Sequence, residues 1–311
     1  SAGLVTIDDS EISNNDAEVY GGGMATYDTE IIIQNGTVIS GNSGPFGGGA
    51  DIYHSDVTMT DSTVSGNYAP ARGGGLYLAG SLMTIERSTI VDNYTGSYEN
   101  YGPFSFGGGI FSSRAVQDPE CDPDCEYVYT DLIIVESTIS GNTSFAGGGI
   151  YNSPGNLLRI YQSTLSDNEA AYGGGLANQY GLWFIVNSTV SGNRAVMLES
   201  YGGLGGGIIN SSPAETPTYF QGLILSTVTG NEAADAGGGI INFDNELNVL
   251  GSIVSGNTSV SGGNEIHNYT AYGATVISYY NLLGDDSETT AEALIGAVPD
   301  TSDKVATSDG T

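Results

Sequence analysis

A run of three glycines recurs along the 311-residue chain, starting at Gly21, Gly47, Gly73, Gly107, Gly147, Gly173, Gly205 and Gly237. The spacings are 26, 26, 34, 40, 26, 32 and 32, which is a base period of 26 residues with insertions of 8, 14, 6 and 6. Between triplets lies a second motif: Ser62-Thr63-Val64-Ser65-Gly66-Asn67, then Ser137 to Asn142, Ser188 to Asn193 and Ser226 to Asn231. A weaker copy, Gly262-Gly263-Asn264-Glu265-Ile266, places Ile266 26 residues beyond Ile240. A fixed period of this length marks an array. Each unit is too small to bury its apolar face alone, and stacked neighbours share one continuous core.

The unit is built from strands. Ile85, Ser88 and Ile90 alternate with Glu86, Thr89 and Val91, β-branched residues are frequent, and good helix formers rarely occur in sequence. With 48 glycines, the chain carries about twice the average share, which excludes a helical protein. No Gly-X-Y period is present, and 39% hydrophobic residues with 20 tyrosines exclude a disordered chain. Three short strands and tight turns per period, stacked in parallel, predict an all-β fold: a single right-handed parallel β-helix of about nine coils. At about 4.8 Å per coil its axis is ~45 Å long. The array is expected to cover residues 1–284, with insertions near 94–106, 114–130, 195–204 and 211–218, and residues 285–311 form a polar tail or cap.

Alternation then assigns columns. Ile12, Ile39, Val64, Ile90, Ile139, Leu165, Val190, Val228 and Val254 point inward, as do Ser62, Ser88, Ser137, Ser163, Ser188, Ser226 and Ser252 two places earlier. The Asn that closes each motif (Asn42, Asn67, Asn93, Asn142, Asn168, Asn193, Asn231, Asn257) sits at a corner, where stacked amides bond coil to coil. The glycines read as backbone positions needing positive φ or close approach, not as a phosphate cradle, since no helix follows them and the sole lysine is Lys304. The outward Thr63, Thr89, Thr138, Thr164, Thr189 and Thr227 form a ladder with two readings, strand propensity or ordered water at an ice surface.

Charge bounds the partners. Thirty-six acids against six bases give −30, a surface that repels nucleic acid and anionic membranes and suits salt, calcium or neutral ligands. No stretch reaches the roughly 18 apolar residues of a membrane span. Two cysteines are too few for a disulfide framework. Cys121 and Cys125, between Pro119 and Pro123, are expected to close a small disulfide loop. The alternative there is Ca²⁺ on Asp118, Glu120, Asp122 and Asp124, the only cofactor the chain suggests.

Gly-Gly-Gly-Ile-Tyr-Asn at 147–152 and Gly-Gly-Gly-Ile-Ile-Asn at 205–210 and 237–242, alternating with Ser-Thr-Ile/Val-Ser-Gly-Asn, resemble the repeats of bacterial exported β-helix surface proteins. The polymorphic outer-membrane-protein type and the choice-of-anchor, CSLREA-associated group are the most similar, and the resemblance runs from about residue 4 to about 284. It implies an extracellular, cell-surface location and a structural or adhesive role, and it carries no catalytic motif.

Function is expected where the period is broken, because solenoid corners tolerate insertions and loops carry binding. The insertions fall on coils four and seven, making two ridges about 14 Å apart with coils five and six as a floor wide enough for one sugar chain. The outward column there is Ala25, Asp51, Tyr77, Phe111, Tyr151, Ala177, Ile209, Ile241 and His267. Tyr77, Phe111, Tyr151, Ile209 and Ile241 are the candidate face for a glycan or cell-surface partner; in the competing reading, insertion aromatics cover them. A lyase lacks suitable bases. A polysaccharide hydrolase needs two carboxylates across the floor, and no catalytic residue is assigned. The leading expectation is a non-enzymatic surface adhesin segment, or a fibre subunit assembling end to end because the array opens in mid-coil at Leu4-Val5-Thr6-Ile7. The alternative is a carbohydrate-binding or polysaccharide-degrading module.

Overall fold

The computed structural model describes residues 3–96, 105–116, 126–198, 201–211, 221–243, 246–269 and 274–309. These form a parallel β-solenoid with three long sheets. Sheet 1 has ten strands, from Leu4–Asp8 to Thr275–Tyr279; sheet 2 has eleven, from Glu11–Ser13 to Lys304–Val305; sheet 3 has ten, from Met24–Tyr27 to Leu294–Ile295. The stack is therefore about ten coils rather than the nine expected. The first and last coils lack a glycine triplet, so the triplet spacing did not register them.

One coil shows how sequence becomes shape. After Gly147, Ile150–Asn152 runs in sheet 3, Leu157–Tyr161 in sheet 1 and Thr164–Ser166 in sheet 2, before Gly173 begins the next turn. The corners use left-handed backbone, at Gln162 (φ 49°) and Asp167 (φ 56°) in this coil. The triplet itself serves two purposes. Gly147 has φ 65°, and a Cβ there would lie 2.4 Å from the carbonyl oxygen of Ile150. Gly149 is packed under the next coil, where a Cβ would lie 2.7 Å from Leu165 Cδ1 and 3.1 Å from Asn168 Cγ. The third glycine thus makes room for the asparagine of the following coil.

Those asparagines form a buried ladder. From Asn42 to Asn231, each backbone N–H and each Nδ2–H donates to the Oδ1 of the next coil's Asn at 2.8–3.1 Å. The serine column is buried as expected, each N–H donating to the next Ser Oγ. The motif aliphatics from Ile39 to Val254 are fully enclosed in the core, together with Ile31, Ile33 and Trp183. The Thr ladder runs in register on the outer face of sheet 2, half-buried.

A second ladder was not foreseen. Asn152, Asn178, Asn210, Asn242 and Asn268 sit inside sheet 3, each Nδ2 donating to the next Oδ1 at 2.7–2.9 Å, and Trp183 Nε1 also donates to Asn210 Oδ1.

The C-terminal segment extends the stack as well as covering it. Leu294–Ile295 pairs with Ile266–His267, and Lys304–Val305 pairs with Leu282–Leu283. Immediately before Leu294, Thr290–Ala293 makes one helical turn, opened by a capping box of Thr289 and Glu292, and Ala293 is buried in the core. At the other end, Leu4 and Val5 are exposed on the first strand of sheet 1.

Candidate functional site

The outer face of sheet 3 carries the expected aromatic column. Tyr77, Phe111 and Tyr151 occupy successive in-register positions. Their rings stack, with centroids 5.4 Å apart at 13° and 5.3 Å apart at 15°. The column is not an open platform, which corrects the exposed-face expectation. Phe111 is 3% exposed, Tyr151 7% and Ile241 0%, while Tyr77 and Ile209 are half-buried. A second apolar cluster, outside the main core, encloses Phe111 and Tyr151 with Phe145, Ala146, Ala171 and Ala177.

The cover comes chiefly from the residue just before each triplet. Phe46, Arg72, Phe106, Ala146, Tyr172, Leu204 and Ala236 form their own bridged column beside sheet 3. Phe106 lies 4.7 Å from the Tyr151 ring and 6.2 Å from Phe111, and Phe46 lies 5.5 Å from Tyr77. Burial raises the hydroxyl pKa of Tyr151 to about 12 and also raises that of Tyr77. The Tyr151 hydroxyl donates to Gln179 Oε1.

What remains accessible is a shallow groove over coils three to seven. Two adjoining hollows of about 220 and 210 Å³ share Phe106, Tyr151 and Gln179. The first is also lined by Arg72, Phe111 and Arg114, the second by Phe145, Tyr172 and Ile209. Neither described lining contains a carboxylate. Nearby, Asp131 is held by Arg159 at 2.7 Å and Glu169 by Arg194 at 3.0 Å. Arg87 likewise bonds Asp61. Arg72 and Arg114 differ: among the described residues neither has an ion-pair partner. Arg72 lies over the Phe111 and Phe106 rings at 5.3 and 5.9 Å, and Arg114 lies over Tyr127 at 3.9 Å. Both guanidinium groups line the groove.

Cys121, Cys125, Asp118, Glu120, Asp122 and Asp124 lie outside the described residues. A different acidic cluster, missed in the sequence, closes the Asn ladder. Glu265, Asp285 and Glu288 bring carboxylate oxygens within 4.8 Å of one another. Glu265 occupies the third-glycine position of its coil and accepts from Asn257 N and Nδ2, the bonds that a further Asn would otherwise accept. Burial, reinforced by Glu288, raises the Glu265 pKa to about 8 against the lowering effect of the Asn257 bonds. The signal was the break from Gly-Gly-Gly to Gly263-Asn264-Glu265, legible only once the ladder is known.

A family described as the right-handed β-helix region matches residues 1–195, and the chain belongs to that family. No curated protein and no solved structure matches it.

Proposed function

We propose that the protein is a non-enzymatic, extracellular adhesive β-helix whose groove over coils three to seven holds a saccharide. The observation that carries this reading is the pair of arginines, Arg72 and Arg114, placed at the rim of an aromatic groove and without carboxylate partners among the described residues in a chain of net charge −30. Guanidinium donors suit ring oxygens and hydroxyls, and the accessible edges of Phe106 and Tyr151 suit the C–H faces of a sugar. Carboxylate-pair hydrolysis has no residues in the described lining. The exported location is supported by the repeat resemblance and by the acidity of the surface.

A glycan array tests the reading. Wild type should retain a subset of saccharides, and the Arg72→Ala/Arg114→Ala protein should lose them while staying folded, with its melting temperature lowered by only a few degrees. Retention by the double variant, or no retention by wild type, would refute the groove. Release of reducing ends from a retained glycan would replace adhesion with hydrolysis.

A further inference from the structure

We infer that the hollow on coils one and two, framed by Tyr20, Tyr27, Tyr53 and Asp51, is a receptor for a primary alkylammonium group. It is separate from the groove of coils three to seven and does not depend on that reading.

The hollow measures about 480 Å³ and is lined by Tyr20, Ala25, Thr26, Tyr27, Asp51 and Tyr53. Its volume falls within the range of small-molecule sites, roughly 300–1,000 Å³. Asp51 is 7% exposed, and its Oδ1 has no hydrogen-bond partner among the described residues. A buried carboxylate is ordinarily paired, because desolvation strongly disfavours the bare charge. Here the stack offers nothing: its neighbours across the sheet are Ala25 and Tyr77. The chain's body arginines are engaged elsewhere, three on carboxylates and two on aromatic rings. Burial alone raises the Asp51 pKa to about 6, which leaves the group mostly ionised at neutral pH.

The surroundings fit a cation. Tyr27 and Tyr53 present parallel rings 5.6 Å apart at 11°, and Tyr20 and Tyr27 are largely exposed. Aromatic faces attract ammonium groups, more strongly where water is displaced. The unpartnered Asp51 Oδ1 is an acceptor, which favours a ligand carrying N–H donors over a fully methylated one. A neighbouring hollow of about 420 Å³, lined by Asp28, Thr29, Glu30, His54 and Asp56, extends the negative field. A metal ion fits poorly, since the lining offers one carboxylate among aromatic rings whereas hard cations take about six or more oxygens. A neutral hydroxyl would satisfy Oδ1 but leave the charge unmatched.

Calorimetric titration at pH 7.5 tests this with n-butylammonium, the peptide acetyl-Gly-Lys-Gly-amide, tetramethylammonium and methyl glucoside. Expected is saturable binding of n-butylammonium, weakened about tenfold or more by Asp51→Asn and by Tyr53→Ala, and unchanged by Arg72→Ala/Arg114→Ala. A peptide affinity well above that of the free amine would assign the group to a lysine side chain of a partner protein, and equal affinities would assign it to a free amine. No saturation in the millimolar range, full affinity in Asp51→Asn, or preference for methyl glucoside would each overturn the inference. An undiminished melting temperature for Asp51→Asn confirms that loss of binding is not loss of fold.

Discussion

Two stretches of one outward sheet face behave in opposite ways. Over coils three to five Tyr77, Phe111 and Tyr151 stack beneath Phe46, Arg72 and Phe106, and are largely withdrawn from solvent. Over coils one and two Tyr27 and Tyr53 stack just as closely, yet Tyr27 is 59% exposed and the buried group beside them is the unpaired Asp51. Asp51 shares the register position of Tyr77, whereas Tyr27 and Tyr53 stand two residues farther along the same strands, in register with Ala79. The difference lies in that two-residue offset and in whether the residue preceding each glycine triplet folds over the neighbouring rung, as Phe46 and Arg72 do over Tyr77 and Phe111. A β-helix thus sets its surface chemistry one corner away from the strand that displays it.

The largest expected effect separates the two stretches directly. Phe111→Ala deletes a 3%-exposed ring from the second apolar cluster and should cost about 3–5 kcal/mol in urea unfolding. Tyr53→Ala, on the half-buried open stretch, should cost about 1 kcal/mol, the scale of one aromatic contact. Equal losses would mean that the covered and open stretches are energetically alike, and the comparison would fail.

The next effect has the opposite sign. The folded Asp51 carboxyl holds its proton to about pH 6, against 3.8 for the free side chain, so its burial penalty is fully present above pH 6 and fades as pH falls toward 3.8. Asp51→Asn should therefore stabilise the protein by about 2–3 kcal/mol at pH 7.5 and by nothing near pH 3.5. Tyr53 and Tyr77 are the ionisable groups that sense Asp51, and both stay neutral across this window, with pKa values raised first by burial. Urea midpoints of both proteins across this range check it, and a constant difference would show that Asp51 is already neutralised.

A smaller loss tests the cover itself. Arg72→Ala removes the guanidinium lying over Phe111 and Phe106 without emptying the core, and should cost about 1 kcal/mol while making Tyr77 more accessible to iodination. Unchanged Tyr77 reactivity would show that Phe46 alone covers that ring.

How much of this could be read beforehand follows from periodicity. The fold, the inward aliphatic and serine columns and the Asn257-type ladder were legible because each repeats every 26 residues with the same residue type. The tenth coil was not, since Leu294–Ile295 and Lys304–Val305 pair without any triplet. The outward column was placed correctly, and of the two readings of its exposure, open or covered by insertion aromatics, the covered one holds, with Phe106 against Phe111 and Tyr151. The covering residues Phe46, Arg72, Phe106, Ala146 and Tyr172 share a position without sharing a chemistry, so no repeat signal announces them. The second ladder was visible as Asn152, Asn178, Asn210, Asn242 and Asn268, but an Asn at an inward strand position makes sense only when a partner amide lies above it. The isolation of Asp51 is a property of its surroundings, and no local motif encodes it.

Glu265 sharpens the comparison from the far end of the molecule, as a buried acid that does have partners. It accepts from Asn257 and lies against Glu288, which in turn accepts from Asn264 Nδ2 at 2.7 Å. Its carboxyl holds a proton to about pH 8 when folded and to 4.5 when free, so stability falls as pH rises between those values and levels off above them. Glu265→Gln keeps an acceptor for Asn257 and supplies a permanent N–H toward Glu288, so it should be nearly neutral at pH 5 and increasingly stabilising toward pH 9. The gain in the global midpoint should be about 1 kcal/mol or less, because the last coil of a stacked array opens without the rest. Hydrogen exchange at residues 262–269 and 285–293 reads it locally. In wild type these amides should exchange progressively faster, relative to the intrinsic rate, as pH rises from 6 to 9, whereas in Glu265→Gln their protection should hold. Protection that falls equally in both proteins would mean that Glu265 does not govern the closing of the ladder, and that the short helix at Thr290–Ala293 or the pairing of Lys304–Val305 limits it instead.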